Sequence, residues 1–255
     1  VIYRLHQAGF PVVVTELPAP LFVRRAVAFG EAVYSGTITV EGVRAQLVDS
    51  PPAVPAVLAA GGVPVLIDPD GDYLTALNPV VLVDARMEKR NLGLTRTDAP
   101  FVVALGPGFV AGDDVHAVVE TNRGHDLGRV IWHGHAEPDT GQPGTVKGYQ
   151  ATRVLRSPAA GHVQAHFAIG DRIQAGQTIA TVSTQPIIAP FDGVLRGIIH
   201  PHVDVAAGLK VGDLDPRGER DLCFRISDKA LAVGGGVVQA VLSASVVRQR
   251  IQTPR

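Results

Sequence analysis

Residues 157–182 and 189–214 are two copies of one unit, and a doubled unit leaves a chain few ways to fold. A shift of 32 positions lays Pro158 on Pro190, Gly161 on Gly193, Val163 on Leu195, Ile173 on Val205, Ala175 on Ala207, Gly176 on Gly208, Ile179 on Val211 and Val182 on Leu214. Each copy reads as Pro-x-x-Gly, a short apolar strand, a turn, a second strand with apolar residues in alternation, Ala-Gly and a third strand. One such copy has an apolar face with nothing on it. Two copies about a pseudo-two-fold axis cover each other's, so residues 151–218 are expected to form a β sandwich of two interlocking halves.

The halves open with Ser157-Pro158-Ala159-Ala160-Gly161 and Ala189-Pro190-Phe191-Asp192-Gly193. On these residues the segment resembles the biotinyl/lipoyl-type barrel-sandwich hybrid, whose two halves flank a hairpin bearing a lysine for biotin or lipoate. Between the copies here stands Ser183-Thr184-Gln185-Pro186-Ile187-Ile188, without a lysine. No amine is there to acylate, so neither biotin nor lipoate is expected. The fold expectation survives that loss, and a fold alone assigns no function.

A chain of 255 residues that is 46% hydrophobic can bury a large core as one large or two ordinary domains. Its 23 Lys and Arg against 24 Asp and Glu offer no basic surface of the kind nucleic acid requires. A single cysteine, Cys223, cannot form an internal disulfide and suits a reducing compartment. The longest uncharged run, residues 230–247, contains Gly234-Gly235-Gly236, Gln239 and two serines, and reads as a glycine-initiated buried helix rather than a bilayer span. A cytoplasmic protein with neither membrane nor nucleic acid as partner is the expectation.

Residues 1–148 read as α/β. Val1, Leu5 and Ala8 share a helical face that Gly9 ends, and Val12-Val13-Val14-Thr15-Glu16 follows as a strand. A helix, then a strand closed by an acid, is the second half of a nucleotide-binding βαβ unit, in which the acid bonds ribose hydroxyls. Glu16 is the candidate for that role, or simply a solvated strand end. Further along, residues 20–34 predict an amphipathic helix, residues 37–48 a hairpin turning at Glu41-Gly42, and residues 52–60 a helix. Strands are expected at 64–67, 80–84, 101–105, 115–120 and 128–132, with a Pro- and Gly-rich linker over 137–148. The expected fold class is thus α/β (Rossmann-like, N-terminally truncated) plus an all-β barrel-sandwich hybrid. The expected domains are 1–148, 151–218, and a C-terminal strand and helix over 219–255 packing on the α/β domain, the helix capped by Ser227 and reaching about Arg248.

Several strings beyond predicted strands concentrate polar groups. Asp84-Ala85-Arg86-Met87-Glu88-Lys89-Arg90-Asn91-Leu92-Gly93 follows one strand and Leu105-Gly106-Pro107-Gly108-Phe109-Val110-Ala111-Gly112-Asp113-Asp114 another, and Thr121-Asn122-Arg123-Gly124-His125-Asp126-Leu127-Gly128-Arg129 lies beyond a third. With Arg4-Leu5 to Glu16, Arg24-Arg25, Gly212-Asp213-Leu214-Asp215-Pro216-Arg217-Gly218 and Cys223-Phe224-Arg225-Ile226-Ser227-Asp228-Lys229-Ala230, they resemble the selenium-dependent molybdenum hydroxylase accessory proteins over nearly the whole chain. Members of that family open with a strand and a Gly-Ala-Gly-Asp turn not found here. The resemblance implies an auxiliary role in maturing such a hydroxylase, with the hydroxylase or its maturation machinery as partner and a selenium or molybdenum cofactor, a molybdopterin or a nucleotide as ligand. The alternative is a dinucleotide-dependent oxidoreductase or another small-molecule enzyme. Whether the chain catalyses anything stays open.

Strand-end loops are where open α/β sheets gather ligand contacts. The candidate ligand set is therefore Glu16, Arg86, Lys89, Arg90, Asn91, Gly106, Gly108, Asp113, His116, Arg123, His125 and Arg129, most of it expected in one cleft. The guanidinium groups suit a phosphate, or else form a solvated rim and ion pairs. His133-Gly134-His135 and His200-Pro201-His202 have the spacing that puts two imidazoles on one strand face, half of a metal site, or are exposed loop pairs. Cys223, between Leu222 and Phe224 on an expected strand, is the one thiolate a selenium or sulfur donor could use, or a buried structural residue.

Overall fold

The computed structural model describes residues 1–139, 141 and 152–252, so most of the expected 137–148 linker lies outside the described residues. Its helices are α1 (Ile2–Gln7), α2 (Ala32–Ser35), α3 (Val54–Ala59), α4 (Leu74–Leu77), α5 (Asp228–Ser243) and α6 (Ser245–Gln252). The strands begin with β1 (Val14–Glu16), β2 (Thr37–Val40), β3 (Val43–Leu47) and β4 (Val63–Ile67), which form one sheet in the order β1-β4-β3-β2. Next come β5 (Val81–Asp84), β6 (Phe101–Leu105), β7 (Ala117–Val119) and β8 (Val130–Ile131), a second sheet in chain order. The repeat supplies β9 (Val154–Arg156), β10 (Gly161–Ala165), β11 (Arg172–Ile173), β12 (Thr178–Val182), β13 (Gln185–Ile188), β14 (Gly193–Ile198), β15 (Asp204–Val205) and β16 (Lys210–Asp215). The fold is mixed α/β, with four four-stranded sheets among the described residues, two of them wholly antiparallel.

Two compact units divide the chain: residues 1–12, 71–141 and 227–255 make one, residues 13–70 and 142–226 the other. The expected single α/β domain over 1–148 is therefore not one unit. Its first sheet belongs with the repeat and its second with the chain's two ends. The physical reason for the second grouping is α5, which packs on β6, β7 and β8 and carries α1 against it. Residues 227–252 thus join the β5–β8 sheet as expected, whereas residues 219–226 go with the repeat.

In the repeat, the sequence offset of 32 is a rule of strand pairing. Gly161 faces Val205, and 32 residues on, Gly193 faces Ile173. His162 faces Asp204 just as Val194 faces Arg172. The first strand of each copy is hydrogen-bonded to the second strand of the other, so the halves interlock. The repeat also reaches further than the sequence reading: Thr178 faces Ile188 and Lys210 faces Arg156, which makes β9 and β13 equivalent and completes both sheets, β13-β12-β10-β15 and β11-β14-β16-β9. Between them lie Val163, Ile173, Ile179, Val182, Leu195, Val205, Val211 and Leu214, all buried. One departure breaks the symmetry. Strands β10 and β12 pair in step, but β14 and β16 slip between Leu195 and Gly197, so that Arg196 is the extra residue of a β-bulge.

The hairpin β2–β3 turns where expected, with Glu41 at φ 45° and Gly42 at φ 84°, the pair of positive values a two-residue type I′ turn needs. Residues 20–34 do not form the amphipathic helix their spacing predicts; short 3-10 turns, Arg25–Val27 and Phe29–Glu31, lead into α2. Tertiary anchors override the periodicity. The Val23 carbonyl packs against the Cα of Gly197, where a Cβ would lie 2.5 Å from it. The Arg24 guanidinium donates to the carbonyls of Leu222, Cys223 and Arg225 at 3.0, 3.3 and 2.9 Å. Those carbonyls are free because Arg220–Cys223 is a 3-10 turn rather than the expected strand.

Ser227 caps α5 through a hydrogen bond to its side chain from the Ala230 N–H at 3.2 Å. The helix stops at Ala244, which is extended at ψ 127°, and α6 resumes beyond it, so the helix expected to run unbroken to Arg248 is broken. Among the described residues no single helix is long and apolar enough to cross a membrane. The three glycines of α5 sit inside it, and two of them permit close approach. A Cβ on Gly234 would press on the Arg4 side chain, and one on Gly236 would overlap the Gly128 carbonyl oxygen. Gly235 has open space instead. Gly236→Ala is expected to cost about 3 kcal/mol or more through overpacking against backbone, while Gly235→Ala stabilises by up to about 1 kcal/mol through helix propensity. Urea denaturation of the two variants checks this, and equal effects at the two positions would contradict the packing described.

Candidate functional site

Strands β5, β6 and β7 run parallel, so the loops after Asp84, Leu105 and Val119 leave the same edge of the sheet. Two close approaches stitch them together. A Cβ on Gly108 would stand 2.5 Å from the Lys89 carbonyl carbon and 2.6 Å from the Arg90 Cα, which puts the second loop backbone to backbone on the first. At Gly106 the equivalent position is 2.5 Å from Thr121 Oγ1, joining the second loop to the third. The first loop also holds two non-glycine residues in the left-handed region, Met87 and Lys89, both at φ 61°.

Glu120, 2% exposed, organises the third loop. Its Oε1 accepts the N–H groups of Thr121 and Asn122, both at 2.6 Å, and its Oε2 accepts that of Glu137 at 2.7 Å. The Asn122 side-chain amide in turn donates to Glu137. A carboxylate surrounded by donors has no substitute in an amide, which must turn an NH₂ toward one of them. Sequence reasoning overlooked Glu120, Thr121, Asn122, Glu137 and Asp139 because an acid at a strand end reads as solvated; no local signal marks Glu120 as buried.

The cations expected to meet a phosphate are engaged with carboxylates. Arg86 grips the buried Asp84 through Nη2 at 2.5 Å and Nε at 3.0 Å, and this pairing raises its already high basicity. Lys89 bonds Asp139 at 2.6 Å, which holds that carboxyl below its ordinary range. Arg123 makes a two-pronged contact with Asp228 at 2.8 and 2.9 Å, and Arg129 meets Asp126 at 2.6 Å. Arg90 is exposed and has no ion pair among the described residues. Asn91 closes its own loop, accepting from Gly93 and Leu94 N–H and donating to the Leu94 carbonyl. Of these cations, Arg86, Lys89, Arg123 and Arg129 are each held by a carboxylate. The set does not fit the phosphate of a molybdopterin or nucleotide.

Nor do the expected residues share one cleft. His116 precedes β7, with its backbone N–H bonded to the Val102 carbonyl, and so lies toward the opposite end of the parallel strands from Gly106 and Gly108. There Asp113, His116 and His133 line an open depression of about 600 Å³ with Arg96 and Trp132, two residues the sequence reading missed. His116 Nδ1 accepts the Val102 N–H at 3.0 Å, so the neutral ring carries its proton on Nε2. Burial and the nearby Arg96 hold its pKa down. His125 and Arg129 border a separate hollow of about 480 Å³ with Gln239. Glu16 belongs to the other unit, at the end of β1, where burial pushes its carboxyl up and Oε1 lies against Gly30.

The His-x-His pairs are not on strands. His133 and His135 flank a single bridge residue, Gly134, and both are exposed. His200 and His202 sit in a turn, where the His202 N–H donates to His200 Nδ1 and the His200 ring stacks on Tyr34 at 3.8 Å. Among the described residues no group of three or more His, Cys, Asp or Glu is placed to hold a metal ion. Cys223 is 1% exposed, its thiol pushed up by burial and directed at the Leu195 carbonyl at 3.8 Å, the environment of a structural cysteine.

No protein-family model matches the chain. The chain is similar to the uncharacterized protein YqeB of Escherichia coli (strain K12), with 45% identity over 242 residues, which is 95% of this chain and 45% of that protein. The chain thus spans less than half the length of the curated relative it matches. Among solved structures, an aspartoacylase family protein from Mesorhizobium loti has 17% identity and a TM-score of 0.24 over 25% of this chain and 23% of that one, a likeness that carries no argument.

Two outcomes test the geometry. Glu120→Gln is expected to lose about 2 kcal/mol of stability in urea denaturation, the scale of a charged hydrogen bond lost with a donor left facing a donor. For His116 the folded pKa lies below the ordinary 6.5, so full stability holds above that value. As pH falls through 6.5 the unfolded chain takes a proton that the folded ring refuses, and stability declines until the folded pKa is passed. His116→Asn, whose Oδ1 can accept the Val102 N–H without titrating, should flatten part of that decline between pH 7.5 and 5, a window chosen around the ordinary imidazole value. His200, shifted the same way, and the buried Val1 amino group, lowered by burial to about 6, contribute to what remains.

Proposed function

We propose that the chain is part of an accessory protein for maturation of a selenium-dependent molybdenum hydroxylase, acting in the cytoplasm with the hydroxylase or its maturation machinery as partner. The reading rests on the strings after β5, β6 and β7, and on what those strings do in space. The observation that carries it is the strained loop around Met87 and Lys89 held backbone to backbone on Gly108. Left-handed non-glycine residues cost energy and persist where the surrounding structure enforces them, which is a mark of functional loops. Because Arg86, Lys89 and Arg123 are engaged with carboxylates, the role of the edge is assigned to contact with a partner protein rather than to holding a phosphate, and no cofactor step is derived.

The same proposal takes the repeat as a barrel-sandwich hybrid of the biotinyl/lipoyl type, supported by the interlocked pairing of its halves, and the two mixed sheets, parallel but for one strand pair each, as Rossmann-like. With Ser183-Thr184 at the β12–β13 turn, where a carrier presents lysine, the module serves as scaffold.

The experiment is deletion of the whole gene in its native host. The hydroxylase polypeptide should accumulate at its usual level but lack selenium by elemental analysis and lack activity, both restored by the full-length gene. Normal selenium content and activity in the deletion strain would overturn the reading. Saturable quenching of the purified protein by a nicotinamide dinucleotide would favour the oxidoreductase alternative instead.

A further inference from the structure

At the end of the parallel strands opposite the stitched loops, one glycine gathers the polar groups of a depression. The Arg96 guanidinium donates through Nη1 to the Gly112 carbonyl, and Asp113 is the next residue in the chain. A Cβ on Gly112 would stand 3.5 Å from His133 Nδ1 and 3.8 Å from the Trp132 carbonyl oxygen, so the Trp132–His133 peptide passes the same point. Two bonds hold that approach, from the Ala111 N–H to the Gly134 carbonyl at 2.7 Å and from the Gly134 N–H to the Ala111 carbonyl at 3.1 Å. Beneath lies the buried Phe101, its ring centroid 5.2 Å from that of His116 and 6.4 Å from that of Trp132. Arg96, Asp113, His116, Trp132 and His133 thus border one hollow of about 600 Å³ on a hydrogen-bonded backbone frame.

These side chains keep unused bonding capacity. Arg96 is exposed and has no ion pair among the described residues, and its bond to Gly112 leaves further N–H donors of the guanidinium fork available. Asp113 is exposed too, and its carboxylate has no bonded partner among the described residues, whereas the neighbouring Asp114 is engaged by the Val110 N–H at 2.9 Å. His116 Nδ1 is taken by the Val102 N–H, which leaves Nε2–H as the donor of the neutral ring. Trp132 is 38% exposed, a large indole left at the surface. A cation and an acid on either side of Gly112 therefore line the same hollow without pairing, next to an aromatic face. A ligand that carries both charges matches that arrangement. Its carboxylate suits the planar guanidinium, and its ammonium suits a carboxylate beside an indole. One cation against one acid favours a ligand of zero net charge, since a phosphate dianion would also meet Asp113. Val110 and Ala111 add an apolar wall.

We propose that this hollow binds a free α-amino acid with an apolar side chain. Its carboxylate sits on Arg96 and the His116 Nε2–H, its ammonium between Asp113 and the face of Trp132, and its side chain against Val110 and Ala111. The site is separate from the strand-end edge assigned to partner contact and does not rest on that assignment.

Trp132 is the one tryptophan of the chain, so tryptophan fluorescence reports on this hollow directly. Titration of the full chain with L-leucine should change the emission saturably, with matching heats by calorimetry. Two probes each lack one charge: 4-methylpentanoate has no amine and 3-methylbutylamine no carboxylate. Both should bind roughly tenfold or more weakly than leucine, the scale of a charged hydrogen bond lost. Arg96→Gln and Asp113→Asn, at exposed positions, should retain the fold and weaken leucine by a similar factor. Arg44→Gln, at an exposed arginine of β3, should leave binding unchanged. Absence of saturable leucine binding to the unaltered chain by both methods would overturn the proposal, and so would saturable heat without a change in Trp132 emission, which puts leucine elsewhere. Either single-charge probe binding as tightly as leucine, or undiminished binding to a folded Arg96→Gln or Asp113→Asn protein, would overturn it equally.

Discussion

The exchange of strands between the two copies of the repeat is the interaction on which the second unit depends. Because β10 bonds β15 and β14 bonds β11, neither copy can complete its hydrogen bonds without the other. Unpaired strand edges in water are tolerable, but an apolar face and an open edge together are not, and interlocking removes both. Further contacts are built on that frame: Gly197 of β14 admits the Val23 carbonyl, and Arg24 then closes on the carbonyls of Leu222, Cys223 and Arg225.

The first unit is organised by a different device, the absence of side chains where backbones meet. Gly236 admits the Gly128 carbonyl to α5, Gly108 admits the Lys89–Arg90 peptide, and Gly106 admits Thr121. In the first two cases a methyl group would occupy space that main chain already fills, and in the third the space of the Thr121 side chain. The strand-end edge that results is held together by Glu120 and by ion pairs such as Arg86 with Asp84. Its exposed pairs, Lys89 with Asp139 and Arg123 with Asp228, are screened by solvent and do little for stability. Arg86 is different, since without it a buried carboxylate would stand alone.

Much of the architecture was legible before any coordinates. The repeat offset, the Glu41-Gly42 turn, the Ser227 cap and most strands follow from periodicity and from residues whose conformational preferences are local. Residues 20–34 misled because apolar spacing of 3.6 describes what a helix would bury, and says nothing of the carbonyls Arg24 can reach nearly 200 positions away. The reach of the repeat to β9 and β13 was hidden for a related reason: those strands share only Leu155 with Ile187, too little to see without their pairing. Of the candidate site, Asp113, His116 and His133 do share a depression, and Gly106 and Gly108 do lie beside the loop of Arg86 to Arg90. Sequence could not tell that these are two places, because residues eight apart around a parallel strand can face opposite ends of the sheet.

What the sequence by itself determined is the doubled β module, the absence of an acylatable lysine between its halves, and the alternation of helices and strands before it. These rest on composition and short-range stereochemistry, which each segment carries alone. Only the tertiary structure decided that the two sheets of the α/β portion belong to different units, that Glu120 is buried while Arg90 is exposed, and that Arg196 stands between Asp213 and Asp215. Such outcomes depend on which distant groups share a low-dielectric interior, and charge in that setting is a property of the neighbourhood rather than of any one residue.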